Sequence, residues 1–193
     1  MTPITTPELV LVRHAPAQTD GRLCGRRDVA VRKGGLASVG GIAAALRFCT
    51  QVATSPALRC RQTAEALFPG RALHQDALLW EQDFGAHEGL SPADLPDLGQ
   101  MTRAKLATLA PPGGESFADM VDRVSPALHD LARRAVAEGP VAVIAHAGTV
   151  RAALALALDD LGAALAFEVA PLSVTRLRCL PGGFSVICVN AVI

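Results

Sequence analysis

Two arginines and two histidines stand at the ends of apolar runs in this chain, where a phosphoryl group would need them. Arg13 and His14 directly follow the run Glu8 to Val12, Arg59 lies just beyond Ser55-Pro56, and His146 follows the continuous apolar stretch Val141 to Ala145. A guanidinium is planar, permanently charged and able to donate in pairs to phosphate oxygens. Free backbone N–H groups at a helix start favour an anion in the same way. A lone histidine at a strand end is ordinarily structural, whereas four such residues at strand ends point to a phosphoryl group as the common target.

The elements that must hold these residues recur as strand, turn and helix. Glu8 to Val12 predicts a strand that ends at Arg13-His14, with Pro16 blocking a regular continuation. Leu36 to Phe48 has helical spacing weakened by Gly40 and Gly41. Gln51 to Thr54 predicts a second strand, and Ser55-Pro56 supplies an N-cap with proline at the first helical position before a helix over Ala57 to Leu67. Val141 to Ala145 reads as a strand buried on both faces, followed after His146-Ala147-Gly148-Thr149 by a helical run to Leu158. A further helix is expected from Ser116 to Val136, ending at Gly139-Pro140. The tail from Leu172 to Ile193 alternates as strands turning at Pro181-Gly182-Gly183. Repeated strand–helix units predict a mostly parallel central sheet with helices on both faces, an α/β/α three-layer sandwich whose ligand crevice lies beyond the carboxyl ends of the strands.

With 193 residues, half of them apolar and 19% charged, the chain is expected to fold as a single domain over 1–193. Lys and Arg balance Asp and Glu at 18 each, which argues against a generally basic nucleic-acid binder and makes any anion site local. Ala152 to Phe167 is interrupted by Asp159 and Asp160, so no membrane span is expected. The first residues show no secretory leader. The five cysteines, Cys24, Cys49, Cys60, Cys179 and Cys188, are odd in number and contain no C-x-x-C pair, which predicts reduced thiols and a cytoplasmic protein.

Five segments carry a family resemblance: LVRHA at Leu11 to Ala15, SPALRCRQTA at Ser55 to Ala64, EQDFGAHEG at Glu81 to Gly89, GGES at Gly113 to Ser116 and AHAGTVRA at Ala145 to Ala152. In this order they resemble the histidine phosphatase, or phosphoglycerate mutase-like, superfamily. The resemblance implies that His14 is a nucleophile forming a phosphohistidine that water then hydrolyses. It implies that Arg13, Arg59 and Thr149 hold phosphoryl oxygens, that His146 is a catalytic binder of the same oxygens, and that Glu81 is the acid serving the leaving group. Glu88 is the competing acid, read as shaping the pocket. No metal and no cofactor are called for, and the expected partner is a small phosphorylated metabolite; a homo-oligomer is left open.

Ala15, Ala17 and Asp20 depart from the family pattern, where a glycine, a threonine and an asparagine are usual. The segment Gly21 to Val31 is similar to that of bacterial alpha-ribazole phosphatases, which implies substrate contacts from Gly25, Asp28 and Arg26 or Arg27; His87, where the family often has a tryptophan before E-G, is a secondary candidate. The leading reading is a phosphomonoesterase, with alpha-ribazole phosphate as one substrate. Its rivals are a phosphoglycerate mutase, against which the short chain counts, a phosphoester-binding protein without turnover, and a metallohydrolase using His14, His87 and His146.

Overall fold

The computed structural model describes residues 6–193; the expected leader-free start and the first positions of the expected domain lie outside the described residues. Six strands, β1 (Glu8–Arg13), β2 (Gln51–Thr54), β3 (His74–Gln75), β4 (Val141–Ala145), β5 (Val174–Leu180) and β6 (Gly183–Ala191), form one sheet in the order β3-β2-β4-β1-β5-β6. The pairs β1–β4, β4–β2 and β2–β3 are parallel, and the C-terminal hairpin β5–β6 adds antiparallel to β1. The helices are α1 (Val39–Ala45), α2 (Leu58–Leu67), α3 (Arg103–Ala107), α4 (Phe117–Glu138), α5 (Ala147–Leu158) and α6 (Leu161–Ala164).

Strand alternation divides the core into two layers, because successive side chains point to opposite faces of a sheet. Leu9, Leu11, Val141 and Val143 pack on the face covered by α4 and α5, while Val10, Val12, Ala142 and Ile144 pack on the face covered by α1 and α2. Both faces are covered, so β1 and β4 read as continuous apolar runs. The three-layer sandwich expected from the sequence is the observed architecture.

Helix α4 buries Phe117, Met120, Val121, Val124, Ala127, Leu128 and Leu131, a stripe at intervals of three and four. Ser116 caps its start and Asp119 reaches back to the Ser116 N–H, a reciprocal capping box. A fully buried leucine of this kind is worth about 2–5 kcal/mol against alanine, which anchors the helix firmly to the sheet.

Two local expectations change. The helix expected over Leu36 to Phe48 is regular only over Val39–Ala45, consistent with two adjacent glycines in its first turn. Ser55 is not the cap of α2: the cap position is Ala57, and the Leu58 N–H donates instead to Asp28 Oδ1 at 2.7 Å. The short β3, the two small helices α3 and α6 and several single 3-10 turns carry too little periodicity to be read from sequence. No helix among the described residues is long and apolar enough to cross a membrane.

Candidate active site

The parallel register sets the site. Arg13 on β1 pairs with Ala145 on β4, and Thr54 on β2 pairs with Ile144. The chain therefore leaves the sheet at His14, His146 and Ser55 on adjacent strands, all at the carboxyl edge. The ladder continues one step past β1 and β2: His14 N–H donates to Ala145 O at 2.9 Å, and Ser55 N–H to Ile144 O at 3.1 Å.

His14 is 7% exposed, and its Nδ1 lies 2.7 Å from the Ala15 carbonyl oxygen. A carbonyl can only accept, so Nδ1 carries the proton and the neutral ring keeps its lone pair on Nε2. Burial pushes the His14 imidazole down to about 3, reinforced by the Arg59 and Arg13 guanidiniums and opposed by the Ala15 hydrogen bond. The ring is neutral at every pH at which the protein would ordinarily work.

That depression has a sign for stability. Between 6.5 and about 3 the unfolded chain binds a proton at this histidine that the folded chain refuses, so stability falls as pH drops through that window. His14→Gln should flatten the acid side of a denaturation-midpoint profile relative to the unmodified chain. Superimposable profiles would contradict the buried, neutral imidazole.

His146 is fully buried, meets His14 edge to face at a centroid distance of 5.3 Å, and approaches Ser55 Oγ through Nε2 at 2.9 Å. Burial first, then Arg59, His14 and Arg13, hold it well below the ordinary imidazole range. Trp80 stacks on its other side, with rings 9° from parallel and centroids 6.3 Å apart.

The Arg59 side chain on α2 is 1% exposed. Three of its five N–H donors go to the carbonyls of Cys24, Gly25 and Arg27, and two remain for a ligand. Arg13 donates to Val169 O at 2.6 Å, while its buried Nε has no partner among the described residues. Burial lowers the Arg13 guanidinium, and Glu81, Arg151 and Arg59 are close enough to act on it. Buried and part-buried guanidiniums with unused donors beside two neutral imidazoles have the chemistry to suit a compact dianion.

Glu81 reaches the N-terminus of α5, where its carboxylate accepts from the Gly148 N–H at 3.1 Å and from the Gln82 N–H at 3.0 Å. Gly148 is required by this contact, since a Cβ there would overlap Glu81 Oε1 and stand 2.8 Å from Met120 Sδ. Gly148→Ala should displace the carboxylate and lower turnover of an alkyl phosphate on the order of 10²-fold. Steady-state rates on an alkyl and an aryl phosphate check this, and unchanged alkyl turnover would remove Glu81 from the reaction.

The other expected site residues divide. Glu88 does shape the pocket: its carboxylate accepts from the N–H groups of Gly25, Arg26, Arg27 and Phe84. Gly25 is a close-approach glycine, because a Cβ would overlap the Gln82 carbonyl oxygen. Arg26 lies over Trp80, 5.7 Å from the ring centroid, facing the site. Asp28 is exposed, and its Oδ1 accepts from the Leu58 N–H at the start of α2. Thr149 is buried, with its hydroxyl donating to Leu79 O at 3.3 Å. His87 sits on a 3-10 turn, and among the described residues no three His, Cys, Asp or Glu side chains gather as a metal-binding group, so it does not join His14 and His146 in one.

Ala15 fits without strain: its backbone is outside the left-handed region, its methyl is buried, and its N–H donates to Thr63 Oγ1 at 2.9 Å. Trp80, the Ser55 contact to His146, and Arg123 were not anticipated from sequence. Trp80 borders the Glu81 segment, the only local signal that pointed to it.

Fold and site together define an α/β protein that gathers two guanidiniums and two imidazoles at the carboxyl edge of its sheet. The sequence profile of the histidine phosphatase superfamily (branch 1) matches residues 9–192, and the chain belongs to that family. The mycobacterial glucosyl-3-phosphoglycerate phosphatase Rv2419c, solved with VO3, superposes with a TM-score of 0.83 at 26% identity, covering 96% of this chain and 100% of that one. TTHB049 from Thermus thermophilus superposes with a TM-score of 0.73 at 29% identity over 96% and 99% of the two chains. The bifunctional protein Rv2228c of Mycobacterium tuberculosis is 34% identical over 174 residues, 80% of this chain and 45% of its own length. The chain thus spans about half the length of the curated relatives it matches.

Proposed function

We propose that this protein hydrolyses a small phosphomonoester through a phosphohistidine at His14. The observation that carries the reading is the Nδ1–H bond from His14 to the Ala15 carbonyl, which leaves Nε2 as an unprotonated nucleophile between guanidiniums. Family membership and a phosphatase among the similar structures support hydrolysis as the reaction class.

In the first step the Nε2 lone pair attacks phosphorus, the P–O bond to the leaving group breaks, and Glu81 gives that oxygen its proton. In the second, water attacks the phosphohistidine, Glu81 takes the water proton, and the N–P bond breaks to release phosphate and restore the lone pair. Arg13, Arg59 and His146 hold the oxygens over which charge spreads, with donors already in place before the reaction. Arg26 on Trp80 borders the space for the leaving group.

Phosphate release from a panel of phosphomonoesters tests the reading, with glucosyl-3-phosphoglycerate and alpha-ribazole phosphate in the panel. The first is there because a similar structure is its phosphatase; the second rests on the resemblance of Gly21 to Val31 alone. Metal independence is tested in the same assay by a chelator, which should leave the rate unchanged. Isomerised product without net phosphate, with a bisphosphate primer present, would replace hydrolysis by mutase chemistry. Vanadate binding without any turnover would make the protein a phosphoester binder.

A further inference from the structure

We propose that Arg123 and Glu115 form a positioning clamp that holds the acid segment, residues 78–83, in register with the nucleophile. The inference rests on Glu81 as the acid and adds residues outside the phosphate pocket. Arg123 lies on α4, whose apolar stripe is anchored to the sheet, and is not one of the residues of that stripe. Its Nη1 donates to the carbonyls of Leu78 and Trp80 at 2.7 and 3.2 Å, and its Nη2 to the carbonyl of Glu81 at 3.3 Å. The same guanidinium grips Glu115 in a two-point pair, Nε to Oε2 at 3.0 Å and Nη2 to Oε1 at 2.5 Å.

Glu115 completes the clamp from the other side. Its Oε1 accepts from the Asp83 N–H at 2.9 Å, its backbone N–H donates to Asp83 O at 2.9 Å, and its carbonyl accepts from Gln82 Nε2 at 2.8 Å. One ion pair therefore fixes both flanks of Glu81, with side chains only 19% and 16% exposed. The 78–83 segment has one 3-10 turn, Ala77–Leu79, and no strand pairing of its own. Beyond the turn's own bonds and the Thr149 hydroxyl on the Leu79 carbonyl, the Arg123 and Glu115 contacts fasten its path.

A planar guanidinium with donors on two edges suits this task, and lysine does not, since an ammonium cannot serve three carbonyls and a carboxylate in one plane. A carboxyl displaced by about 1 Å loses on the order of 10²-fold where proton transfer limits the rate. An aryl leaving group needs no proton, so the phosphate pocket alone serves phosphohistidine formation from it, while discharge by water is common to both substrates and is read separately.

The test compares Arg123→Met, Arg123→Lys and Glu115→Gln with Glu81→Gln on an alkyl phosphate and on p-nitrophenyl phosphate. The clamp predicts that Arg123→Met lowers the single-turnover rate of phosphohistidine formation from the alkyl substrate on the order of 10-fold to 10²-fold and leaves that from the aryl substrate within about 3-fold. Arg123→Lys should retain a folded protein with the same selective loss in smaller degree. In the Glu81→Gln background, Arg123→Met should add nothing on the alkyl substrate. Equal losses on both substrates, no loss, or multiplying losses in the double variant would overturn the clamp. If Glu81→Gln itself does not discriminate the substrates, the acid assignment fails; if it discriminates and the Arg123 variants do not, only the clamp fails.

Discussion

Replacing His14 with alanine should reduce phosphomonoester turnover on the order of 10⁴-fold or more, on alkyl and aryl substrates alike. No neighbouring group can take over. His146 is the nearest imidazole, with centroids 5.3 Å apart, but it is fully buried with Nε2 against Ser55 Oγ. The loss should fall on kcat, since Arg13, Arg59 and His146 remain to bind the phosphoryl group. Vanadate or inorganic phosphate should therefore still bind the variant. Turnover within about 10-fold of the unmodified protein would mean that water attacks the substrate directly.

Arg59→Ala should cost on the order of 10²-fold or more in kcat, by the logic of removing fixed donors from developing charge. It should also destabilise the fold, because the buried Gly25 carbonyl and the part-buried carbonyls of Cys24 and Arg27 lose their donor. Each acceptor left unsatisfied and buried costs about 1–3 kcal/mol. The side chain therefore ties catalysis to the path of the 24–27 loop. Arg59→Lys should recover little of either effect, since a point charge cannot bridge that loop and a phosphoryl group at once. Thermal midpoints and rates on the same preparations check both expectations, and an active Arg59→Ala would remove this residue from the phosphate pocket.

The strand–turn–helix units and the convergence of Arg13, His14, Arg59 and His146 were legible because each residue lies within a few positions of a strongly apolar strand. Strand register then does the rest: pairing Arg13 with Ala145 necessarily brings His14 beside His146. Residues whose partners are distant were misread or missed. Ser55 has the composition of a cap, but its hydroxyl turns to a histidine 91 positions away while Asp28 serves the helix start from another loop. Asp28 and Thr149 match family positions, and the bonds their side chains make, to the Leu58 N–H and the Leu79 carbonyl, are equally silent in the sequence. Arg123 was invisible for the same reason: its value lies in carbonyls 42 to 45 positions upstream, and backbone acceptors leave no mark in composition or spacing.

The departures at Ala15, Ala17 and Asp20 bear on substrate choice more than on chemistry. Ala15 supplies the carbonyl that fixes the His14 tautomer, a role open to any residue with an ordinary backbone. Ala17 forms an isolated bridge to Val31, closing the loop that leads to Gly25 and Arg26. Asp20 holds a left-handed backbone at φ 52° and is exposed at the turn. These are loop-shaping places, and the pocket of guanidiniums and imidazoles stands without them.

The most direct measurement is a rapid acid-free quench during turnover of a ³²P-labelled phosphomonoester, followed by peptide mapping of the bound label. The account predicts an acid-labile, base-stable phosphoryl group on the peptide containing His14, formed and discharged at rates that match turnover and absent in His14→Ala. Turnover with no such label, or with label on another residue, would contradict it.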